Sequence, residues 1–251
     1  MSRRIVIKVG TGVVSNDAGE LDQEILKRLV DQIVQLREKG AQVVLVTSGA
    51  VGAGKGILSK VHTGSPVVQK QLYAAVGQVK LMSIYAQLFE RHGYSCAQVL
   101  ATKEDFRDET HYENMKNCLN ALLPDGVVPI INENDVVATA ELMFSDNDEL
   151  AGLVVSQLEA DTLIILTTTD GILDAEKKTV PEVRADNRRE VESFITDGTS
   201  SNGRGGMRTK FAIATELSQR GVEVYIASGR SGQVLMDIFS GTSRGTKFAA
   251  I

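Results

Sequence analysis

Short apolar runs without polar alternation recur along this chain, and segments with the apolar period of a helix separate them. Such runs are typical of strands in a parallel sheet that helices cover on both faces. They predict strands at 3–9, 42–47, 94–100, 127–131, 162–166 and 222–227. The periodic segments predict helices at 21–39, 66–91, 109–123, 150–158 and 211–217. The alternation therefore predicts an α/β fold with a largely parallel sheet.

The composition is that of an ordinary α/β protein and argues against several kinds of partner. The chain has 251 residues, of which 43% are apolar, enough to bury a large core. Its net charge of −5 predicts no general attraction for nucleic acid or for an anionic membrane surface. Cys96 and Cys118 form no CxxC pair, and His62, His92 and His111 show no zinc-type spacing. The early apolar run is too short for a signal peptide, so we expect a cytoplasmic protein.

Four of the predicted strands are followed by small polar or glycine-rich segments. These segments are 8–11, 47–54, 132–135 and 167–171. In open parallel sheets, ligands bind beyond the carboxyl ends of the strands. The four segments are therefore expected to converge on one site at that edge of the sheet.

Two lysines are candidates for binding a phosphate. Gly203, Gly205 and Gly206 precede a predicted helix, and Lys210 lies at its start. Glycines let backbone N–H groups turn toward an anion, and a helix N-terminus adds a partial positive charge. Lys8 lies in an apolar strand, where a lysine is unfavourable unless an anion or carboxylate meets it. The alternatives are a surface turn before an ordinary helix, and a lysine that reaches water from the end of its strand.

A third glycine-rich segment fits a known phosphate-binding pattern only in part. Residues 49–55 match the first seven positions of G-x-x-x-x-G-K and follow a predicted strand. Gly56 stands where that pattern needs a Ser or Thr to hold magnesium, and no strand ending in Asp is a clear partner. We therefore interpret the segment as a glycine-rich loop of another kind, which argues against an ATPase of the P-loop class.

Acidic and amide side chains cluster between 132 and 148. Asp146 or Asn147 could cap the helix that follows, which is the common use of such residues. The cluster is larger than capping requires, so its members could orient an amino-acid ammonium group and the two lysines. These residues are Asn132, Glu133, Asn134, Asp135, Asp146, Asn147 and Asp148.

Five segments resemble, in order and spacing, the glutamate 5-kinases of the amino acid kinase family. They are 7–11, 46–54, 131–135, 144–148 and 205–210, and the resemblance covers essentially the whole chain. It implies a three-layer αβα sandwich with a mostly parallel central sheet. It also implies ATP-dependent phosphorylation of the γ-carboxylate of L-glutamate, the first step of proline biosynthesis, with Mg²⁺ carried mainly by the ATP phosphates. The resemblance further implies feedback inhibition by proline and assembly into a homo-oligomer.

The resemblance assigns roles to individual residues. Lys8 and Lys210 would hold the phosphates and stabilise the transferring phosphoryl group, and Asp148 would position both lysines. Asp135 would pair with the ammonium of glutamate, while hydroxyl or amide donors meet its α-carboxylate. The glutamate-binding residues would be Ser48, Gly49, Asp135 and Asn147. The nucleotide-binding residues would be Lys8, Thr167, Thr168, Arg204, Gly205, Gly206, Met207 and Lys210.

The same resemblance predicts the domain organisation. It predicts a single kinase domain over 1–251, with the acceptor-binding part at 1–160 and the nucleotide-binding part at 161–251. The RNA-binding-like PUA domain that many members carry at the C-terminus is not expected. The polar stretch 174–202 predicts small strands and a mobile loop. One departure concerns the loop after the strand at 162–166, where Thr168 replaces the Asp that is usual in the family.

Two other functions remain open. A related kinase could act on another carboxylate, a carbamate or a nucleotide, although a nucleoside monophosphate would need basic residues where 132–148 is acidic. A catalytically silent amino-acid sensor could keep the fold without the chemistry. The presence of Lys8, Asp148 and Lys210 argues against the sensor.

Overall fold

The computed structural model describes residues 2–16, 18–58, 64–138, 146–195, 206–242 and 244–250. Within these ranges eight strands form one sheet, in the order β3-β4-β2-β1-β5-β7-β8-β6. The strands are β1 (Arg4–Val9), β2 (Gln42–Thr47), β3 (Cys96–Ala101), β4 (Val128–Glu133), β5 (Thr162–Thr167), β6 (Glu182–Val183), β7 (Glu223–Ser228) and β8 (Thr246–Phe248). Only β7 and β8 pair antiparallel among these neighbours, so the prediction of a mostly parallel sheet is confirmed.

Helices cover both faces of the sheet. One face carries α1 (Thr11–Val14), α2 (Gln23–Glu38), α3 (Ala50–Ile57), α4 (Pro66–Glu90) and α9 (Val234–Phe239). The other face carries α5 (Glu109–Leu122), α6 (Asn147–Leu158), α7 (Arg188–Ser193) and α8 (Met207–Ser218). A buried apolar cluster lies under each layer. The three-layer αβα sandwich is therefore confirmed.

The central strands are almost inaccessible to solvent, which explains their apolar sequences. β1 lies between β2 and β5, with parallel pairing on both sides. Ile5, Ile7 and Val9 face one cluster, and Val6 faces the other. The carboxyl ends of β1, β2, β4 and β5 therefore meet at one edge, and the segments that follow them are brought together there, as the sequence predicts.

The glycine-rich segment after β2 is a helix, so its interpretation as a loop is wrong. Gly49 caps it in the left-handed conformation with φ of 112°, and α3 follows directly. Gly54 of this helix is required by a close crossing with α4. A Cβ at Gly54 would lie 1.9 Å from the carbonyl oxygen of Tyr73, and one at Gly77 would lie 1.8 Å from that of Ala50. The backbones of α3 and α4 thus touch, which fixes α4 beside the edge that carries the polar segments.

The region after β5 also contains elements that the periodicity did not resolve. β6 and α7 lie within the polar stretch 174–202, so small structured elements are confirmed there. Residues 196–202 of that stretch lie outside the described residues, and the mobile loop expected in the stretch stays a prediction. Across the part of the chain that is described, no helix has the length and apolar character needed to cross a membrane.

Candidate active site

Two lysines from opposite ends of the chain meet one buried carboxylate. The Lys8 ammonium contacts Oδ1 of Asp148, and Lys210 Nζ donates to Oδ2 of Asp148 at 2.6 Å. Asp148 is fully buried, and the two lysines are only 4% and 7% exposed. The cluster therefore carries one net positive charge in a site that excludes most water, where a second anion would be strongly attracted.

The fold explains why these side chains converge. Lys8 is the penultimate residue of the central strand β1, so its side chain leaves the sheet at the carboxyl edge. Asp148 lies in the first turn of α6, and Lys210 lies in the first turn of α8. α6 begins at Asn147 rather than at 150, because Asp146 caps it by accepting from the N–H groups of Asp148 and Glu149. Asp148 is thus a helix residue, although the sequence predicted a helix that begins only at residue 150.

The two carboxylates of this helix start have opposite pKa shifts. Burial would raise the pKa of Asp148, but the ammonium groups of Lys8 and Lys210 together outweigh it and hold that pKa well below its usual range. Burial, together with the neighbouring Asp148, raises the pKa of Asp146 to about 7. Asp148 is consequently ionised throughout the physiological range, whereas Asp146 changes charge near neutrality. Oδ2 of Asp146 is buried and has no hydrogen-bond partner among the described residues.

A cleft with a volume of about 760 Å³ opens beside this cluster. Four glutamate-binding residues proposed from the sequence line it, so the structure brings that set together. These are Ser48, Gly49, Asp135 and Asn147. Further lining residues are Thr11, Ser15, Glu20, Lys55, Lys70, Asn132, Glu133 and Asp146. The cleft therefore joins the ends of β1, β2 and β4 to the start of α6.

Asn147 ties the ends of three elements together. Its Nδ2 lies 2.7 Å from the Thr47 carbonyl oxygen, 3.0 Å from Ser48 Oγ and 2.9 Å from Asn132 Oδ1. The amide of Asn132 in turn donates to Gln78 Oε1 at 3.0 Å. Both amide groups are therefore engaged inside the protein, which leaves them little donor capacity for a ligand. The expectation that amide or hydroxyl donors meet the α-carboxylate of the substrate stays a prediction.

Asp135 already has a cationic partner within the protein. The Lys70 ammonium, from the second turn of α4, contacts its Oδ1. The next residue on that helix, Gln71, donates to the Val136 carbonyl oxygen at 2.8 Å. The start of α4 thus rests on the turn after β4. The sequence patterns do not single out Lys70. The spacing could have done so, because Lys70 lies seven residues before Gly77 and therefore on the helix face that crosses α3.

The other candidate nucleotide-binding residues lie near the start of α8 and the end of β5. The N-cap of α8 is Gly206, and no side chain among the described residues caps this helix; the start of such a helix favours an anion. Met207 is the first residue of that helix and packs against the apolar cluster. Thr167 ends β5, and Thr168 is exposed just after it. Arg204 and Gly205 lie outside the described residues.

The carboxylates of this site do not form a metal cage. Among the described residues, no group of three or more His, Cys, Asp or Glu side chains is arranged to hold a metal ion. Mg²⁺ binds readily through one or two carboxylates, waters and the phosphates of a substrate. The donor set therefore fits a magnesium ion that a phosphate ligand carries, and Asp146 lines the cleft with a buried oxygen that has no hydrogen-bond partner among the described residues.

Comparison with known proteins identifies the family. The model of the amino acid kinase family matches residues 3–228. A glutamate 5-kinase from Chlorobaculum tepidum is 47% identical over 250 residues, which are 99% of this chain and 69% of that protein. The chain belongs to the amino acid kinase family, in its glutamate 5-kinase branch. A glutamate 5-kinase from Bacteroides thetaiotaomicron is 42% identical over 94% of this chain and 66% of its own length. The chain thus spans about two thirds of the length of these curated relatives.

Solved structures of two other proteins share the fold. Carbamate kinase from Giardia lamblia bound to AMP-PNP has a TM-score of 0.72 at 16% identity, covering 99% of this chain and 98% of that chain. N-acetylglutamate synthase from Neisseria gonorrhoeae, complexed with coenzyme A and L-arginine, has a TM-score of 0.67 at 16% identity. That match covers 99% of this chain and 62% of the synthase. At such identities the likeness concerns the fold alone.

Proposed function

We propose that this member of the glutamate 5-kinase branch transfers the γ-phosphoryl group of ATP to the γ-carboxylate of L-glutamate. The observation that carries the proposal is the buried cluster of Lys8, Asp148 and Lys210 beside a cleft that the candidate acceptor-binding residues line. Its relatives are glutamate 5-kinases. The enzyme is a phosphotransferase with a carboxyl group as acceptor, and ATP with Mg²⁺ serves the reaction.

The residues fit the chemistry of this transfer. A carboxylate nucleophile is already ionised at neutral pH, so no general base is needed. One oxygen of the γ-carboxylate bonds to the γ-phosphorus as the bond to the leaving oxygen breaks and ADP departs. The difficulty is the approach of two anions and the charge on the transferred group. Lys8 and Lys210 offset that charge, and Asp148 holds both ammonium groups in place.

In this proposal the protein binds the nucleotide, and the phosphates of the nucleotide bind Mg²⁺. The start of α8 at Gly206 and the segment that includes Thr167 and Thr168 form the nucleotide side. Mg²⁺ supplies further charge neutralisation on the phosphate oxygens when bound. The chain itself contributes the two lysines and excludes water from the cluster. Arg204 and Gly205 remain proposed nucleotide-binding residues on the resemblance.

The acceptor side selects an amino acid. Asp135 is a carboxylate partner for an ammonium group, and Ser48 and Gly49 line the same cleft. Asn147 holds Ser48 and the end of β2 in position. A nucleoside monophosphate acceptor would bring its phosphate against Glu20, Glu133 and Asp135. Glutamate therefore fits this lining better than a nucleotide does.

A coupled assay of ADP release tests the substrate. With Mg²⁺ and ATP, we expect glutamate to stimulate ADP release and N-acetylglutamate to be inactive, since acetylation removes the charge that pairs with Asp135. Aspartate, carbamate and uridylate in the same panel represent the rival kinases. Preferential turnover of any of them would overturn the proposed function. Equal turnover of glutamate and N-acetylglutamate would overturn the role of Asp135.

Proline is proposed as an inhibitor at the glutamate site. It shares the α-carboxylate and the charged nitrogen of glutamate but lacks the γ-carboxylate, so it could fill the cleft without accepting phosphate. We expect proline to raise the apparent KM for glutamate and to leave the KM for ATP nearly unchanged. Initial rates at several proline and glutamate concentrations measure this. Insensitivity to millimolar proline, or competition with ATP, would contradict it.

The division of the domain into two parts, the oligomeric state and the cellular location are also proposals. We place the acceptor side in 1–160 and the nucleotide side in 161–251, since the cleft is lined from the first part and α8 lies in the second. A homo-oligomer remains a prediction, which gel filtration with light scattering can test. A cytoplasmic location is consistent with the need for ATP and glutamate.

A further inference from the structure

Most of the charged side chains that line the acceptor cleft are acidic, although the proposed substrate carries two carboxylates of its own. Glutamate carries two carboxylates and one ammonium, and four carboxylates already line the cleft: Glu20, Glu133, Asp135 and Asp146. Lys8 and Lys210 pair with Asp148 and are not among the lining residues of the cleft. Because an unpaired carboxylate is unfavourable in a partly buried acidic cleft, the α-carboxylate needs its own cation. The cations among the lining residues are Lys55 and Lys70.

Lys70 has the better position of the two. Lys55 is exposed near the end of α3, whereas the Lys70 side chain is 28% exposed and contacts Asp135. In an amino acid, the ammonium and the carboxylate are bonded to the same carbon atom. Their protein partners must therefore be neighbouring groups of opposite charge. Lys70 and Asp135 are such a pair, and they face the cleft together.

We propose that Lys70 binds the α-carboxylate of the acceptor amino acid, while Asp135 exchanges the Lys70 ammonium for the ammonium of the substrate. This inference rests on the proposed function and adds a specificity-determining residue to it. One ion pair is lost in the exchange and two are formed. The Lys70 and Asp135 side chains are 28% and 12% exposed, so water reaches the existing pair, and the two new ion pairs offset its loss.

The Lys70–Asp135 contact is not needed to hold α4 in place. Gly54 and Gly77 fix α4 against α3 through backbone contact. Gln71 separately bonds the Val136 carbonyl oxygen at 2.8 Å. Lys70 is therefore carried to the cleft by a helix that is positioned independently of it. Its ammonium can change partners without moving the backbone.

The amide groups nearby do not compete for this role. The Nδ2 atoms of Asn147 and Asn132 donate to protein oxygens, including the Thr47 carbonyl and Gln78. A substrate carboxylate that used them would have to break these bonds within a buried network, which costs more than displacing a partly exposed ion pair. Lys70 is accordingly the donor that is both charged and available for exchange.

Glutamate and its α-amide, isoglutamine, distinguish a specificity role from a structural one. Both keep the ammonium and the reactive γ-carboxylate, but the amide lacks the α-carboxylate charge. We expect the wild-type enzyme to prefer glutamate by about 10- to 100-fold in kcat/KM, the range of one charge-assisted hydrogen bond. In Lys70→Met this preference is expected to fall close to one. The KM for glutamate rises at least about tenfold while kcat stays within about threefold, and Lys70→Arg recovers part of the preference.

The controls separate the possible failures. Lys80→Met makes the same change on an exposed part of the same helix and is expected to keep the wild-type preference. If Lys70→Met lowers kcat/KM for both acceptors equally, Lys70 only supports the structure and the inference is wrong. If Lys70→Met retains the preference, the α-carboxylate binds elsewhere. A wild-type enzyme that turns over neither acceptor would instead refute the proposed function.

Discussion

Replacing either lysine of the buried cluster should nearly abolish turnover. We expect Lys210→Met and Lys8→Met each to lower kcat by on the order of 10²-fold or more, about 3 kcal/mol of lost stabilisation of the transferring phosphoryl group. The methionine side chain keeps most of the packing and removes only the charge. Because Asp148 retains the other lysine as a partner, the fold should persist, with a melting temperature close to that of the wild type.

Steady-state kinetics at saturating ATP and glutamate measure this effect. Lys80→Met, which removes an exposed charge from α4, is the matched control and should keep a near-normal kcat. The KM for glutamate should change little in the Lys210 variant, since Lys210 is not among the residues that line the acceptor cleft. A near-normal kcat for Lys210→Met would mean that the start of α8 has a structural role only.

Removing the carboxylate between the lysines should damage both activity and stability. In Asp148→Asn two buried ammonium groups lose their shared counter-charge, and breaking a buried ion pair in this way typically costs about 3–5 kcal/mol. We therefore expect the melting temperature to fall by roughly 6–20 °C, taking about 2–4 °C per kcal/mol for a chain of this size. The variant should also lower kcat, with smaller changes in the KM for glutamate.

The control for this variant is Asp237→Asn. Asp237 pairs with Arg244, whose side chain is 57% exposed, so the same substitution there should cost less than about 1 kcal/mol. MgATP should restore more stability to Asp148→Asn than to the wild type, because phosphate oxygens replace the missing counter-charge. Wild-type stability in Asp148→Asn would show that the carboxylate does not hold the two lysines.

The sequence predicted the parts of the site that depend on local pattern. A lysine inside the apolar run of β1 and glycines before α8 both indicated an anion site, and parallel strands place their carboxyl ends together by topology. The structure confirms that Lys8 and Lys210 converge. It also shows what pattern alone did not specify, namely that Asp148 lies inside the first turn of α6 and bridges the two ammonium groups.

The remaining features depend on how helices cross, which a single sequence does not reveal. Gly54 was interpreted as part of a loop because glycines near a strand end commonly bind phosphates. Its actual partner is the backbone of α4, next to Gly77, more than twenty residues later. Lys70 was overlooked for the same reason, since its contact with Asp135 exists only once that crossing is formed. β8 is three residues long, too short for a periodic signal.

An oxygen-18 experiment tests most directly whether the γ-carboxylate of glutamate is the acceptor. Glutamate labelled with oxygen-18 in that group would be incubated with MgATP and the enzyme. An acyl phosphate formed by attack of the carboxylate oxygen on phosphorus keeps one labelled oxygen in its bridge. When the α-amine then attacks the carbonyl carbon, the lactam forms and inorganic phosphate leaves with that oxygen. We predict phosphate carrying one oxygen-18 atom for each ADP formed, as read by mass spectrometry. Unlabelled phosphate alongside ADP would mean that water is the acceptor and would contradict the account.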